Sequence, residues 1–171
     1  MKRPTNEEHI AYYGKYVNLV PEGDLLLQLS RQMEETVQML SGLTEEQENY
    51  RYAPGKWSVK EVLGHLIDTE RIMSYRLLRI ARGDQTPLAG YDDEAYVAEG
   101  EFSSRRMSEL LDEYKAVRQS TIAMFKGVPA RAWERTGVAN NSHCSARALA
   151  YIIAGHELHH GILLKDRYQI G

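Results

Sequence analysis

The chain carries one cysteine, Cys144, so no intrachain disulfide can hold it together, and a reducing compartment suits it. A lone thiol of this kind reads as a small buried side chain rather than a nucleophile. No apolar run approaches the ~20 residues needed to cross a bilayer, which excludes a membrane-spanning helix. No long basic block interrupts a net charge of −3, and this argues against nucleic acid as the main partner. The opening residues, Met1 to Glu8, lack the apolar stretch of a signal peptide, so a cytoplasmic location is expected. Nor does any segment read convincingly as a strand.

What is present is a soluble chain of 171 residues, long enough to bury a real core and short enough for one domain over 1–171. Four segments have helical periodicity. The first runs from about Asp24 to Leu40, with Leu25, Leu26, Leu29, Met33, Val37 and Leu40 on one face and Gly42 after its end. The second opens on Ser58-Val59-Lys60-Glu61, the pattern of a capping box, and continues to Arg82-Gly83. The third spans about Ser104 to Lys126, and the fourth about Ser145 to Asp166. Four amphipathic helices joined by polar linkers predict an all-α four-helix bundle.

Three histidines carry the chemical information. His156 and His160 stand four residues apart, one helical turn, on the same face. Stepping 100° per residue places both close to the midline of the apolar stripe Leu149, Ile152, Ile153, Leu163 and Leu164. His159 and Glu157 fall at its opposite edges. His65 lies on the edge of the second helix's stripe. Two inward imidazoles on one helix and a third from another are a ligand set for a single metal ion. Without partners, burying the two neutral rings of the fourth helix would cost several kcal/mol.

His156-Glu157-Leu158-His159-His160 also matches H-E-x-x-H, the zinc-protease pattern. The longer protease form fails, because its remaining positions hold Leu163 and Asp166. Glu157 is a candidate to act on a water at the metal. The competing assignment is a solvated charge on the helix flank. Asp84 to Phe102 is the longest irregular stretch, with a short helical turn expected around Glu94 to Ala98. Tyr91 and Asp92 are its candidates for orienting a substrate, with Tyr96 behind them. The loop leaves the second helix roughly 23 Å along the axis from His65, so it must fold back to reach the histidines.

Lys56-Trp57-Ser58-Val59-Lys60-Glu61-Val62-Leu63-Gly64-His65-Leu66-Ile67-Asp68-Thr69-Glu70-Arg71 closely resembles the first signature of the DinB/YfiT-like superfamily. Ala148 to His160 matches the other, and Pro87 to Asp92 is similar to a loop of one branch. The resemblance covers nearly the whole chain. It implies an up-down-down-up helix order and a divalent metal, zinc or nickel, on His65, His156 and His160. It also implies a homodimer, which the tyrosines Tyr12, Tyr13 and Tyr16 would support if they lie exposed. Characterised relatives include thiol S-transferases and isomerases that use bacillithiol, mycothiol or glutathione, while many members have no known substrate.

Two functions follow. In the first, three neutral ligands leave the ion its full charge and an open position, where a low-molecular-weight thiol or a water is activated. The protein is then an S-transferase or a hydrolase on a small-molecule substrate. In the second, it is a non-catalytic metal-binding or stress-associated small-molecule binding protein. A fourth protein ligand, Glu157 or Asp92, would mark such a closed site.

Overall fold

The computed structural model describes residues 1–170. Its elements are α1 (Ala11–Val17), α2 (Leu25–Leu40), α3 (Glu45–Asn49), α4 (Val59–Ala81), α5 (Asp93–Glu99), α6 (Met107–Lys126), β1 (Thr136–Ala139), β2 (Ser142–Ser145) and α7 (Ala146–Asp166). The bundle is α2, α4, α6 and α7. Among the described residues no helix is long and apolar enough to cross a membrane.

The helix starts are set locally. The Asp24 carboxylate accepts the Leu26 amide at 2.9 Å. Ser58 and Glu61 form the reciprocal cap, with the Ser58 amide donating to Glu61 at 2.7 Å and the Glu61 amide to the Ser58 hydroxyl at 3.3 Å. Ser145 caps α7 through the Ala148 amide at 3.0 Å. Each such cap is worth about 1 kcal/mol.

Packing fixes the order. α4 lies against α6 and α7, and α2 against the same two, so α2 and α4 are diagonal. Gln32 and Thr36 of α2 reach Ala154 and Glu157 of α7, so these two helices run the same way. Glu70 of α4 meets Arg118 of α6, and Val59 to Ile67 share a cluster with Met107 to Val117, so α4 and α6 are also parallel. His65 sits opposite His156 whereas the later Met73 shares a cluster with Ile153, so α4 opposes α7. The topology is up-down-down-up.

That topology explains the long loop. Two parallel neighbours cannot be joined by a tight turn, so the chain after Ala81 must travel back along the bundle before α6 starts. On the way it forms α5, where the turn around Glu94 to Ala98 is expected, and it passes the start of α4. The aromatic ring of Phe102 rests on Gly64, where an added Cβ would lie 2.3 Å from it.

Three short features escape the sequence reading: α1, α3 in the linker after α2, and a hairpin. Thr136–Ala139 and Ser142–Ser145 pair as an antiparallel hairpin, with Gly137 opposite Cys144 and Val138 opposite His143. The expectation of no strand is therefore corrected. Asn140 and Asn141 form its turn at φ 51° and 56°, the left-handed conformation that asparagine tolerates. α1 and α3, at seven and five residues, are too short to show a periodicity of their own. Cys144 is buried in this region, as expected, and burial pushes its thiol up to about 11.

Candidate metal centre

His65 stands on α4 two turns after the Ser58 cap, and His156 and His160 stand on the facing side of α7. All three are buried. Their Nε2 atoms converge: His65 to His156 is 3.0 Å, and His160 to His156 is 3.2 Å. All three ligand atoms fall within 4.8 Å of one another. A tetrahedral ion with 2.0–2.1 Å bonds requires nitrogens ~3.3 Å apart, close to these values.

The donor chemistry fits a cation. Burial brings the His65 ring down to about 4, against an opposing pull from the charge of Asp93. Burial, helped by His65, His159 and Lys15, brings His160 down to about 3. Burial also holds His156 well below the ordinary imidazole range, with His160, His65, His159 and Lys15 acting the same way. The rings are therefore neutral at pH 7, and three neutral Nε2 atoms facing one point cannot all be donors to each other. His160 Nδ1 is buried and finds no partner among the described residues. A divalent ion accepts all three lone pairs at once.

The surroundings hold the rings in place. Thr69, one turn after His65, lies 3.5 Å from its Nδ1 and 2.8 Å from the Tyr91 hydroxyl. Trp57 packs on the His65 ring at 4.6 Å between centroids and donates its indole N–H to Glu94 at 3.0 Å. Tyr16 packs edge-on against His156 and His159, at 5.3 and 5.5 Å.

A cleft of about 250 Å³ opens over His65 and His156; Tyr12, Tyr13, Tyr16, Thr69, Arg76 and Tyr91 are among its walls. A larger groove of about 770 Å³ lies near Met1, Asp24 and Trp133 and contains none of the three histidines.

The structure brings Tyr91 to this cleft, because the returning loop passes here. It places Asp92 elsewhere: the residue is exposed, and its carboxylate accepts the Ala95 amide at 3.1 Å as the cap of α5. Asp93, its neighbour, is the one on the cleft wall. Tyr96 is exposed and packs on Tyr91 at 5.0 Å.

Glu157 departs from one of the two assignments made from sequence. It is buried, not a solvated flank charge. Its carboxylate is engaged from α2 and α6: Thr36 donates to it at 2.6 Å, and Tyr114 and Arg118 donate to it as well. Arg118 is shared with Glu70, at 2.7–3.0 Å. The wheel placed Glu157 at the stripe's edge correctly, but α2 and α6 close over that edge.

The α1 tyrosines also correct an expectation. Tyr16 is buried against His156 and His159, Tyr13 is half-buried, and Tyr12 is well exposed. All three line the cleft. Tyr16, Trp57, Thr69, Arg76 and Asp93 are among the site residues that sequence reading missed. Thr69 and Arg76 follow His65 at helical spacing and could have been found that way; Tyr16 gave no signal.

Two solved structures share the fold. YfiT from Bacillus subtilis, described as a probable metal-dependent hydrolase with an unusual four-helix bundle topology, superposes with a TM-score of 0.73 at 17% identity. The match covers 91% of this chain and 92% of that one. A mycothiol-dependent maleylpyruvate isomerase superposes with a TM-score of 0.69 at 11% identity, over 86% of this chain. This chain spans only 62% of that enzyme's length. No curated protein matches the sequence. The family model described as the DinB superfamily matches residues 28–164, from within α2 almost to the end of α7 and through all three histidines. The chain belongs to the DinB superfamily.

Proposed function

We propose that this protein is a metal-dependent enzyme acting on a small molecule, with His65, His156 and His160 holding one divalent ion, zinc or nickel. The observation that carries this reading is the convergence of three neutral Nε2 atoms under an open cleft. A divalent ion held there supplies a Lewis acid that favours the anionic form of a thiol or a water. The chain's own residues do the rest. Thr69 and Trp57 hold His65 in orientation, Tyr16 packs on His156, and α1 narrows the access of bulk water. Tyr91, with its hydroxyl on Thr69, borders the space a substrate would fill.

Glu157 serves this reading as a positioning residue. Its carboxylate anchors α7 against α2 and α6 beside His156, and its lone pairs are engaged. Asp92 is a helix cap, and Tyr91 keeps its role as a substrate-orienting residue.

Thiol transfer is favoured over hydrolysis by the family resemblance, with bacillithiol, mycothiol or glutathione as the cosubstrate class. The alternative is a non-catalytic metal-binding or stress-associated small-molecule binding protein; a fourth ligand from Glu157 or Asp92 would favour its closed-site form, and those two carboxylates are bonded to Thr36, Tyr114 and Arg118 and to the Ala95 amide. A homodimer is part of the proposal and rests on the resemblance alone. Light scattering at micromolar concentration should give twice the 19.6 kDa chain mass, and the chain mass itself would remove the dimer.

Metal analysis of the purified protein tests the centre: one divalent ion per chain is expected. At 100 times its dissociation constant such an ion adds about 2.7 kcal/mol of stability. His156→Ala should lose that increment in loaded protein and little in stripped protein. Equal losses in both would mean ordinary core packing. A screen of thiols against a reactive electrophile then separates transfer from hydrolysis.

A further inference from the structure

Arg76 is a buried charge that the histidine cluster does not explain. It is 3% exposed, on α4, eleven residues after His65. Its guanidinium donates to the Ala89 carbonyl at 2.6 Å, reaches the Met73 sulfur at 3.6 Å and lies over the Tyr91 ring at 5.7 Å. Among the described residues no carboxylate pairs with it, whereas Arg118 has two. A buried cation without a counter-charge costs several kcal/mol. A guanidinium has five N–H donors, and here one meets a carbonyl and one a weak thioether acceptor.

The neighbours do not neutralise it. Tyr13, Tyr91 and Cys144 face it, and burial keeps each of them protonated despite its charge. Asp93, the one carboxylate on the cleft wall, is exposed and forms no ion pair with it. Arg71 and Arg79, nearby on α4, are already paired, with Glu113 and Asp84.

Arg76 lines the same cleft as His65 and His156. Eleven residues of helix are about 16 Å, but helical side chains point back towards the N-terminus, and the contact with Met73 shows that Arg76 does so. Its head is then on the order of 10 Å from the histidine cluster. The cleft therefore has a cation at one end and a metal-ligand set at the other.

We propose that Arg76 receives a carboxylate of the substrate, which is a small organic acid with its reacting atom on the order of 10 Å from that carboxylate. The planar guanidinium fork matches a carboxylate and binds it most strongly where water is excluded. A phosphate would call for a second cation beside Arg76; Arg71 and Arg79 are paired, and Lys15 stands over the Tyr12 and Tyr16 rings, off the cleft wall. This inference rests on the histidine cluster being the reacting end.

The test is calorimetric titration of metal-free and zinc-loaded protein with 8-mercaptooctanoate, 8-mercaptooctanol and octyl phosphate. The acid should bind about tenfold or more tighter than the alcohol in both forms, as a charge-assisted hydrogen bond predicts. Arg76→Gln should bring the acid down to the alcohol's affinity and leave the alcohol unchanged, and Arg76→Lys should keep part of the gap. Equal binding of acid and alcohol overturns the proposal, as does a tighter octyl phosphate or an equal loss of both thiols in Arg76→Gln. If that variant does not fold, the wild-type gap and Arg76→Lys decide. An acid–alcohol gap with no gain from zinc for either thiol would instead count against the reacting end.

Discussion

The carbonyl of Tyr16 lies directly over Gly155, where an added Cβ would come within 2.0 Å of its oxygen. Gly155 precedes His156 as Gly64 precedes His65. Each histidine-bearing helix therefore has a notch beside its first ligand, and each notch receives a covering element. Over Gly64 that element is the Phe102 side chain; over Gly155 it is the backbone of α1.

Gly155→Ala should consequently cost more than Gly64→Ala. A ring can turn away, but the Tyr16 backbone moves only if α1 lifts. A loss of about 1–3 kcal/mol is expected in thermal unfolding of Gly155→Ala, with faster proteolytic cleavage before Leu25. Unchanged cleavage would mean that α1 is not held there.

The Glu70–Arg118–Glu157 network predicts an order of stabilities. Arg118→Met leaves two carboxylates buried without their cation and should cost about 3–5 kcal/mol. Glu157→Gln keeps the Glu70–Arg118 pair and should cost less, about 1–3 kcal/mol. Denaturant unfolding measures both. A Glu157→Gln protein of full stability that has lost turnover would show the carboxylate to be a general base.

Thr69→Val and Asp92→Asn separate the support of the centre from the cap of α5. Thr69 touches both His65 and Tyr91, so its loss should weaken metal affinity about tenfold. Asparagine caps a helix as well as aspartate does, so Asp92→Asn should leave metal affinity unaltered and stability nearly so. Competition with a chromophoric chelator reads the first, thermal melting the second.

Acid should loosen the N-terminal cover through Glu8. Burial pushes this carboxyl up, but hydrogen bonds from Arg147, Thr5 and Ser145 and the charge of Arg147 outweigh it and bring it to about 2. Its folded value lies below the unfolded one, so its contribution is complete above about pH 4.5 and is lost as pH falls towards 2. Stability of wild type and Glu8→Gln measured from pH 6 to pH 2 should converge across that window. A constant gap would mean that the Glu8–Arg147 pair does not anchor this segment.

The sequence carried the bundle clearly. The Ser58 cap, the apolar stripes and the end glycines are local features, and the structure places the bundle helices within a few residues of where they predict. The inward direction of His156 and His160 was equally legible, since helical spacing alone sets it. α2 was harder to read. Gln32 and Thr36 are buried although polar, while Met33 and Val37 are only half-buried. Their burial depends on Arg118 and Glu157 across the core, which no pattern within α2 reveals.

What the sequence determined by itself is therefore helical: where the helices start and stop, and which histidines share a face, because each depends on residues within a turn or two. Only the tertiary structure decided the rest. Parallel packing of α4 and α6 forced the chain between them back past His65, bringing Tyr91 and Asp93 to the cleft. Closure of α2 and α6 over one edge of α7 turned Glu157 inward to Arg118. Docking of α1 on Gly155 made a surface tyrosine segment into the cover of the histidine cluster. These outcomes depend on which faces meet, and contacts between distant segments are fixed only when the whole bundle closes.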